Sequence, residues 1–393
     1  MLRIALSAFI VSSVVSMCLA EAWEIKGKSE VKVMKTRPTP HDPKASTAPV
    51  PVDIVICLDT SGSMTALIDS ARAQLWEIVN EFAQAKPVPV LRVGLLTYGS
   101  PNNSNAANGW VVRQIGLSSD LDAVYAKMMG MTTNGGEEFV GWVLNDAIRT
   151  MDWSTDPRAL KVVYVAGNES ADQGSATFNF RSVGLEARER DILINAIYAG
   201  NASQGMAESW NQVASHGNGE YAAIDMSAGL RQRYTQYDDI LIQLNTQLNA
   251  TYIPYGRQGA QMRLRQEAQD AQACQLGKQT AASRSAAKGS VLYDNAHWDL
   301  VDASKDKKFE VSSVPVSQLP DAMQLMSEDE RVKYLEQARQ KRSKLQKKIQ
   351  EVQLKRLAEL RKQEENDEST EGLGRATKRT IRSQAKSKKI IIP

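Results

Sequence analysis

Apolar runs alternate with stretches of helical periodicity between residues 51 and 248. Six runs rich in β-branched residues predict strands, at residues 54–58, 90–99, 110–115, 160–166, 192–198 and 219–225. Between them, apolar residues three and four positions apart predict helices at residues 65–85, 121–129, 140–151, 181–190, 206–216 and 229–248. The third run is expected to pair antiparallel with the second. This alternation favours an α/β fold, with a doubly wound, mostly parallel six-stranded sheet and helices on both faces.

The amino-terminal residues have a different pattern. Residues 1–22 combine Arg3, an apolar stretch and the small-residue site Ala20-Glu21-Ala22, which is typical of a cleaved signal peptide. Residues 23–50 are polar and then proline-rich, which predicts an extended linker before an α/β domain at 51–248. The sequence therefore predicts an exported protein, without a transmembrane span once the signal peptide is removed.

Beyond residue 248 the pattern predicts three further segments. Residues 249–326 form a polar, irregular extension, in which the aromatic and acidic stretch at 290–303 is expected to pack on the α/β domain or to dock on a partner. Residues 327–366 predict a long charged helix that begins at a capping box, and its narrow apolar stripe fits a coiled coil or packing within the chain. Residues 367–393 carry only cationic charges from Arg375 onward, which predicts a disordered basic tail with weak affinity for anionic surfaces.

The polar residues directly after the first predicted strand are the candidates for chemistry. Asp59 ends the strand, and Ser61 and Ser63 follow with Gly62 between them. In an α/β sheet, ligands bind at the edge formed by the carboxyl ends of the strands. One carboxylate and two hydroxyls are hard oxygen donors, which suit Mg²⁺ or Mn²⁺ better than zinc. The pattern therefore predicts part of a divalent metal site.

The D-x-S-x-S pattern at residues 59–63 resembles the metal-ion-dependent adhesion site of von Willebrand factor type A domains. This resemblance, over about residues 50–248, implies two further ligand groups. The first is expected in the loop before the third helix, where either Thr133 or Glu137 supplies the oxygen. The second is expected at the end of the fourth main strand. There the family has an aspartate and this chain has Asn168, which would act through its carbonyl or through a bound water.

The stretch Ala166-Gly167-Asn168-Glu169 resembles that of a group of secreted bacterial members of this family. The resemblance implies an exported binding protein, secreted or held in the periplasm or cell envelope, that engages a protein partner through the bound ion. A site with Asp59 as its one carboxylate stays positive and favours an acidic side chain of the partner. If Glu137 also binds, the neutral site holds metal more tightly and attracts an acidic partner less. The alternative is a structural envelope component with a degenerate metal site, tethered by the helical extension and the basic tail.

Histidine content and local sequence argue against an enzyme. A serine hydrolase that used Ser61 or Ser63 would need a base beside its nucleophile, and the chain has three histidines, His41, His216 and His297. The Gly-x-Ser-x-Gly elbow is absent around these serines. The net charge of +3 is too small to indicate a specific nucleic-acid partner, and the three scattered cysteines predict no disulfide framework.

Overall fold

The computed structural model of the protein describes residues 49–102, 104–224, 233–365 and 373–393. The predicted signal peptide and nearly all of the predicted linker lie outside the described residues. Six strands form one sheet: β1 (Pro51–Asp59), β2 (Val90–Tyr98), β3 (Val112–Ser118), β4 (Leu160–Gly167), β5 (Leu193–Ala199) and β6 (Asn218–Ile224). Their spatial order is β3-β2-β1-β4-β5-β6, with β3 antiparallel to β2 and the other neighbours parallel. The predicted six-stranded, mostly parallel sheet is confirmed.

Helices cover both faces of this sheet, which confirms the doubly wound arrangement. In the described residues they are α1 (Thr65–Ala83), α2 (Leu121–Met129), α3 (Val140–Thr150), α4 (Phe180–Glu189), α5 (Ala202–Ala207), α6 (Trp210–His216), α7 (Asp238–Asn249), α8 (Gly259–Leu276), α9 (Lys278–Lys288), α10 (Leu300–Ala303), α11 (Asp321–Gln324), α12 (Glu328–Glu365) and α13 (Leu373–Ser387). The core on one face includes residues of α1, α2, α7, α9, α12 and α13. The core on the other face is formed with α3, α4 and α6.

Strand β1 lies at the centre of the sheet and is buried on both faces. Ile54 and Leu58 belong to one core, and Val55 and Cys57 belong to the other. Such two-sided burial is typical of a parallel strand covered by helices and explains its nearly continuous apolar sequence. Asp59 is the last residue of β1 and pairs in register with the last residue of β2. The sheet therefore places this carboxylate at the middle of its carboxyl edge.

The predicted irregular extension is largely helical and packs on the α/β domain. Arg284 of α9 is buried, and it donates hydrogen bonds to Asp122 of α2 at 2.7 Å and to Asp270 of α8 at 2.6 Å. Its guanidinium also lies 4.7 Å from the ring centre of Trp76 in α1. Buried charges of this kind are tolerated because each is paired and hydrogen-bonded. The polar composition of this segment therefore reflects an internal ionic interface.

The aromatic and acidic stretch at 290–303 packs on the α/β domain, which was one of the two roles predicted for it. The Tyr293 hydroxyl donates to Asp122 at 2.6 Å. Trp298 is buried and stacks on Tyr252 with ring centres 5.6 Å apart. Both aromatic residues belong to the core of the α1 face. This stretch therefore extends the core of the α/β domain.

The long helix α12 packs within the chain, against α7, α9 and α10. Its buried Arg342 donates to the Thr251 carbonyl at 2.6 Å and to Asp302 at 3.0 Å, and it also contacts Asp299. Packing within the chain was one of the two arrangements predicted for this helix. Its internal arginines explain why the apolar stripe is narrow.

The structure corrects the prediction of a disordered basic tail. Residues 367–372 lie outside the described residues, but α13 is a helix that packs on α1. Lys378 of α13 lies 2.9 Å from Glu77, and Arg382 donates to Glu81 at 2.7 Å. The cations of α13 therefore neutralise a buried acidic face of α1. From the sequence alone, a run of like charges indicates a solvated tail, because its partners lie far away along the chain.

Two predicted helices differ in extent from those of the structure. The predicted helix at 206–216 is interrupted at Ser209, which has a left-handed backbone with φ of 68° and separates α5 from α6. The predicted helix at 229–248 begins at Asp238, and residues 225–232 lie outside the described residues. Within the part of the chain that the structure describes, every helix is too short or too polar to cross a membrane.

Candidate metal centre

The turn after β1 holds Asp59 in a fixed, buried position. The Asp59 side chain is 0% exposed, and its Oδ1 accepts a hydrogen bond of 2.7 Å from the Ser61 amide. The backbone amide and the hydroxyl of Thr60 both donate to the Tyr98 carbonyl, at 2.8 and 2.9 Å. These bonds tie the turn to the end of β2. The second oxygen of Asp59, Oδ2, is buried and has no hydrogen-bond partner.

Ser61, Ser63 and Asn168 meet at this turn. The Oγ atoms of Ser61 and Ser63 are 3.4 Å apart, and the Asn168 amide nitrogen donates to the Ser63 Oγ at 3.2 Å. The Asn168 side-chain carbonyl oxygen is buried without a partner. Since β4 ends directly before Asn168, the sheet delivers this amide to the turn that follows β1. The structure thus brings together four of the predicted ligand residues, Asp59, Ser61, Ser63 and Asn168.

The loop before α3 lies against the same turn. Two backbone hydrogen bonds join them, from Asn134 to the Thr60 carbonyl at 2.9 Å and from Gly62 to the Gly135 carbonyl at 3.2 Å. Thr133 is in this loop, and its hydroxyl lies 3.2 Å from the hydroxyl of Thr65 at the start of α1. Thr133 is therefore beside the candidate site, and its role as a ligand stays a prediction.

Glu138, next to the predicted Glu137, supplies the second buried carboxylate. The Glu137 side chain is exposed and accepts a hydrogen bond of 2.5 Å from the Trp110 indole. Glu138 is 2% exposed and interacts with Asp59 strongly enough to raise the pKa of that residue. Glu138 is therefore the buried carboxylate beside Asp59, and a ligand role for Glu137 stays a prediction.

The carboxyl groups of Asp59 and Glu138 are buried close together, and this proximity determines the electrostatics of the site. Burial raises the pKa of Asp59 well above its usual range, and the hydrogen bond and the charge of Glu138 raise it further. The amide of Ser61 opposes this effect by hydrogen-bonding to the ionised form. Burial and the same two acids also raise the pKa of Tyr98, whose hydroxyl donates to the Ala166 carbonyl at 3.0 Å. A positive charge between the carboxylates would remove their repulsion.

Gly99 makes the close approach of these acids possible. Its φ is +80°, in the left-handed region that favours glycine. A Cβ atom at this position would lie 2.7 Å from Asp59 Oδ1 and 3.1 Å from Glu138 Cγ. The residue after β2 is therefore constrained by both backbone conformation and space.

The donor set fits a hard divalent cation. Asp59 Oδ2, Glu138 Oε2 and Asn168 Oδ1 are buried oxygens that have no hydrogen-bond partner within the part of the chain that the structure describes. Buried unpartnered oxygens are uncommon because each costs about 1–3 kcal/mol, and a bound ion is one explanation for them. Among the described residues, no three His, Cys, Asp or Glu side chains converge as a metal site, so a site here depends on hydroxyl and amide oxygens as well. Two carboxylates with such neutral oxygens form the ligand chemistry of Mg²⁺ or Mn²⁺.

Comparison with known protein families agrees with this geometry. The model of the von Willebrand factor type A domain matches residues 53–264, slightly more than half of the 393 residues. The match begins within β1 and ends within α8. No curated protein sequence matches the chain.

Several solved structures are similar to less than half of this chain, at low sequence identity. A proximal thread matrix protein from the mussel byssus, solved with a zinc-occupied adhesion-site motif, is 16% identical, with a TM-score of 0.35 over 46% of this chain and 43% of that one. An aerotolerance-related membrane protein from Bacteroides fragilis is 16% identical, with a TM-score of 0.32 over 45% of this chain and 94% of that one. The pilus adhesin SpaC from Lactobacillus rhamnosus is 14% identical, with a TM-score of 0.36 over 46% of this chain and 29% of that one. These likenesses carry no information about function.

Proposed function

Since the chain belongs to the von Willebrand factor type A family, we propose that it is an exported binding protein that engages a protein partner through a divalent cation. Domains of this family mediate interactions between proteins and commonly bind divalent metals at the site that follows the first strand. The residues proposed to hold the ion are Asp59, Ser61, Ser63, Glu138 and Asn168, with Thr133 as a further hydroxyl beside them. The proposed ion is Mg²⁺ or Mn²⁺.

One observation carries the proposal: Asp59 and Glu138 are buried together, and each has an oxygen without a partner. Two carboxyl groups in a buried site repel each other when both are ionised, so the arrangement is costly without a positive charge. Structural ion pairs in this protein place an arginine or a lysine against buried carboxylates, as Arg342 does against Asp299 and Asp302. No such ion pair to Asp59 or Glu138 is found among the described residues. A bound divalent cation would supply the positive charge that balances Asp59 and Glu138.

The second carboxylate changes the expected mode of partner binding. With Asp59 and Glu138 both ionised, a bound dication is neutralised within the protein, so it attracts an acidic side chain of the partner less than a site with one carboxylate would. The second carboxylate is expected to increase the affinity for the metal and to decrease the attraction for an acidic partner. The rim of the site must then contribute to recognition.

We propose binding rather than catalysis. Of the three histidines, His41 lies outside the described residues. The Nδ1 atom of His216 lies 2.8 Å from the Gln212 carbonyl, and its ring packs against Phe180. His297 lies beside Asp120, at 3.9 Å. No contact of His216 or His297 with Ser61 or Ser63 is found among the described residues, which supports binding rather than catalysis.

The test is capture of a partner from the native cell envelope by immobilised protein, with Mg²⁺ or with a chelator present. Wild-type protein should retain a partner in Mg²⁺ and release it with the chelator. The Asp59→Asn variant should retain none, and Glu137→Gln, the matched change at the neighbouring exposed carboxylate, should retain what wild type does. Capture that is unchanged by the chelator and by Asp59→Asn would replace this proposal with its alternative, a structural envelope component whose metal site is degenerate.

A further inference from the structure

A basic cleft opens between α12 and α13, on residues that the proposed metal centre does not use. We define the basic cleft by its five cationic side chains, Arg361, Arg375, Lys378, Arg379 and Arg382. Its cavity volume is about 380 Å³, within the range of small-molecule sites of about 300–1,000 Å³. Two acidic residues, Glu81 and Glu364, also line it. The lining is therefore strongly cationic.

Four of the five cations lie on one face of α13. Their positions, 375, 378, 379 and 382, follow the three- and four-residue spacing of a helix, so their side chains crowd together. Like charges at this spacing destabilise a helix by a few tenths of a kcal/mol per pair, roughly 0.2–0.5 kcal/mol. Arg375 is also near the amino end of α13, where the helix dipole favours anions, and no acidic residue is present in that first turn. An anion in the basic cleft would relieve both effects.

Both acidic residues of the cleft have partners, and so do several of its cations; Arg379, for example, lies 3.7 Å from Glu220. Glu81 accepts hydrogen bonds from Arg382 at 2.7 and 3.0 Å. Glu364 lies 3.2 Å from Arg233. Lys378 is directed to Glu77 of α1, at 2.9 Å. The carboxylates that line the cleft therefore do not serve Arg375.

One guanidinium nitrogen of Arg375 lacks a hydrogen-bond acceptor among the described residues. This nitrogen, Nη2, is buried. A guanidinium nitrogen without an acceptor is costly when buried, because charged donors lose strong hydration. Arg361, across the cleft on α12, donates to the main-chain oxygen of Pro393 at 2.8 Å. The cleft thus presents an unsatisfied donor within a cluster of positive charge.

We propose that the basic cleft binds a phosphoryl group, with Arg375 as its principal donor. A phosphoryl group offers three oxygens and up to two negative charges, which match the planar fork of arginine better than a single carboxylate does. Leu357 and Leu360 form an apolar part of the lining, which gives room for an attached organic group. The phosphoryl group belongs either to a soluble phosphate ester or to a phospholipid headgroup.

The first experiment is titration calorimetry of the full chain with inorganic phosphate and with pyrophosphate. It is carried out at low salt and with a chelator, so that phosphate bound to a metal ion does not contribute. Wild-type protein should bind, and Arg375→Gln should bind about tenfold more weakly or worse. The matched control is Arg188→Gln, at an exposed arginine of α4, which should bind within about twofold of wild type because it leaves the cleft intact. Asp59→Asn should also bind like wild type.

The second experiment identifies the source of the phosphoryl group. Sedimentation with vesicles of phosphatidylglycerol and phosphatidylcholine is compared with vesicles of phosphatidylcholine alone. Binding to the anionic vesicles that Arg375→Gln abolishes assigns a lipid headgroup, whereas binding of pyrophosphate alone assigns a soluble ester. Circular dichroism checks folding, and Arg379→Gln, at a more exposed position, replaces Arg375→Gln if that variant does not fold. Absence of binding to every probe, or equal binding by wild type and the folded cleft variant, overturns the proposal.

Discussion

The carboxyl groups of Asp59 and Glu138 meet in a buried position at the carboxyl edge of the sheet. When both are ionised, neither has a proton to donate, and one oxygen of each has no partner. When one is protonated it hydrogen-bonds to the other, which contributes to the raised pKa of Asp59. The pair therefore needs either a proton or a cation, and the two states can be separated by experiment.

Divalent ions should stabilise the protein through this pair. At a hundredfold excess over the dissociation constant, bound Mg²⁺ or Mn²⁺ should add about 2.7 kcal/mol to the free energy of unfolding. Asp59→Asn and Glu138→Gln should each lose most of this gain, because each removes a charged ligand. Urea unfolding with and without the ion measures it. The variant Glu137→Gln should keep the full gain, and if it alone lost the gain the assignment of Glu138 would be wrong.

In metal-free protein, Glu138→Gln should increase the free energy of unfolding. Glu138→Gln removes the repulsion and supplies an amide N–H donor for the unpartnered Oδ2 of Asp59. A hydrogen bond to a charged group contributes about 1.5–3 kcal/mol, so the metal-free variant should be more stable than metal-free wild type by about 1 kcal/mol or more. Urea unfolding in a chelator measures the difference. A variant less stable than wild type under these conditions would mean that the two acids are not in contact.

Gly99→Ala should disrupt the site from the end of β2. The added Cβ would collide with Asp59 Oδ1, and alanine is strained at a φ of +80°. The expected cost is about 1–3 kcal/mol of the free energy of unfolding, together with loss of stabilisation by the metal. Gly116→Ala in β3 is the matched control, since a Cβ there meets nothing within 4 Å. Equal effects of the two substitutions would show that the space at Gly99 is not needed.

Stability should depend on pH through Glu77. Burial by itself raises the pKa of this carboxyl, but Lys378, Arg356 and the Ser283 hydroxyl outweigh that effect and lower the pKa to about 2. The stability that ionised Glu77 contributes is therefore complete above its unfolded pKa of about 4.5 and is lost as pH falls toward 2. The shift corresponds to about 3 kcal/mol, of which about 2 kcal/mol should be gone at pH 3.

Comparison with Glu77→Gln isolates this contribution. The variant should be less stable than wild type at pH 6 by about 3–5 kcal/mol, because Lys378 and Arg356 lose their buried partner. At pH 3 the difference should shrink by about 2 kcal/mol. Urea unfolding at both pH values measures it, and Glu189→Gln, at an exposed position of α4, should follow the wild-type profile. A difference that stays constant between pH 6 and pH 3 would contradict the lowered pKa.

The attachment of α12 should depend on Arg342. This buried guanidinium is bonded to Thr251, Asp299 and Asp302. Arg342→Met leaves Asp299 without a cation and Asp302 with Lys305 alone, and it should cost about 3–5 kcal/mol. Arg339→Met, three residues earlier on the exposed face of the same helix, should cost less than about 1 kcal/mol. Limited proteolysis should cut within α12 of the first variant only, and similar cleavage of both would show that Arg342 does not hold the helix.

The sheet was predictable because its strands are buried on both faces. The predicted strand at 160–166 and the observed β4 differ by one residue, since continuous β-branched sequence marks a central parallel strand. The turn with Asp59, Ser61 and Ser63 was predictable for the same reason: its position depends on the strand before it. The place of Asn168 follows from the end of β4 in the same way.

The choice between Glu137 and Glu138 was not predictable from residue types. It depends on the direction of each side chain, which the backbone hydrogen bonds of Asn134 and Gly62 fix in space. Glu138 is buried and Glu137 is exposed although both directly precede the same helix. The helix α13 had even less signal, since Arg382 and its partner Glu81 are 301 positions apart.

The position of α13 on α1 determines when the fold can be completed. Ile391 pairs with Lys86 through two backbone hydrogen bonds, and α13 supplies Lys378 to Glu77 and Arg382 to Glu81 of α1. During synthesis, α1 emerges from the ribosome some three hundred residues before these partners. The nascent chain must therefore carry Glu81 of α1 without its arginine partner until α13 has been made. Docking of α13 is consequently among the last steps in assembling the described residues.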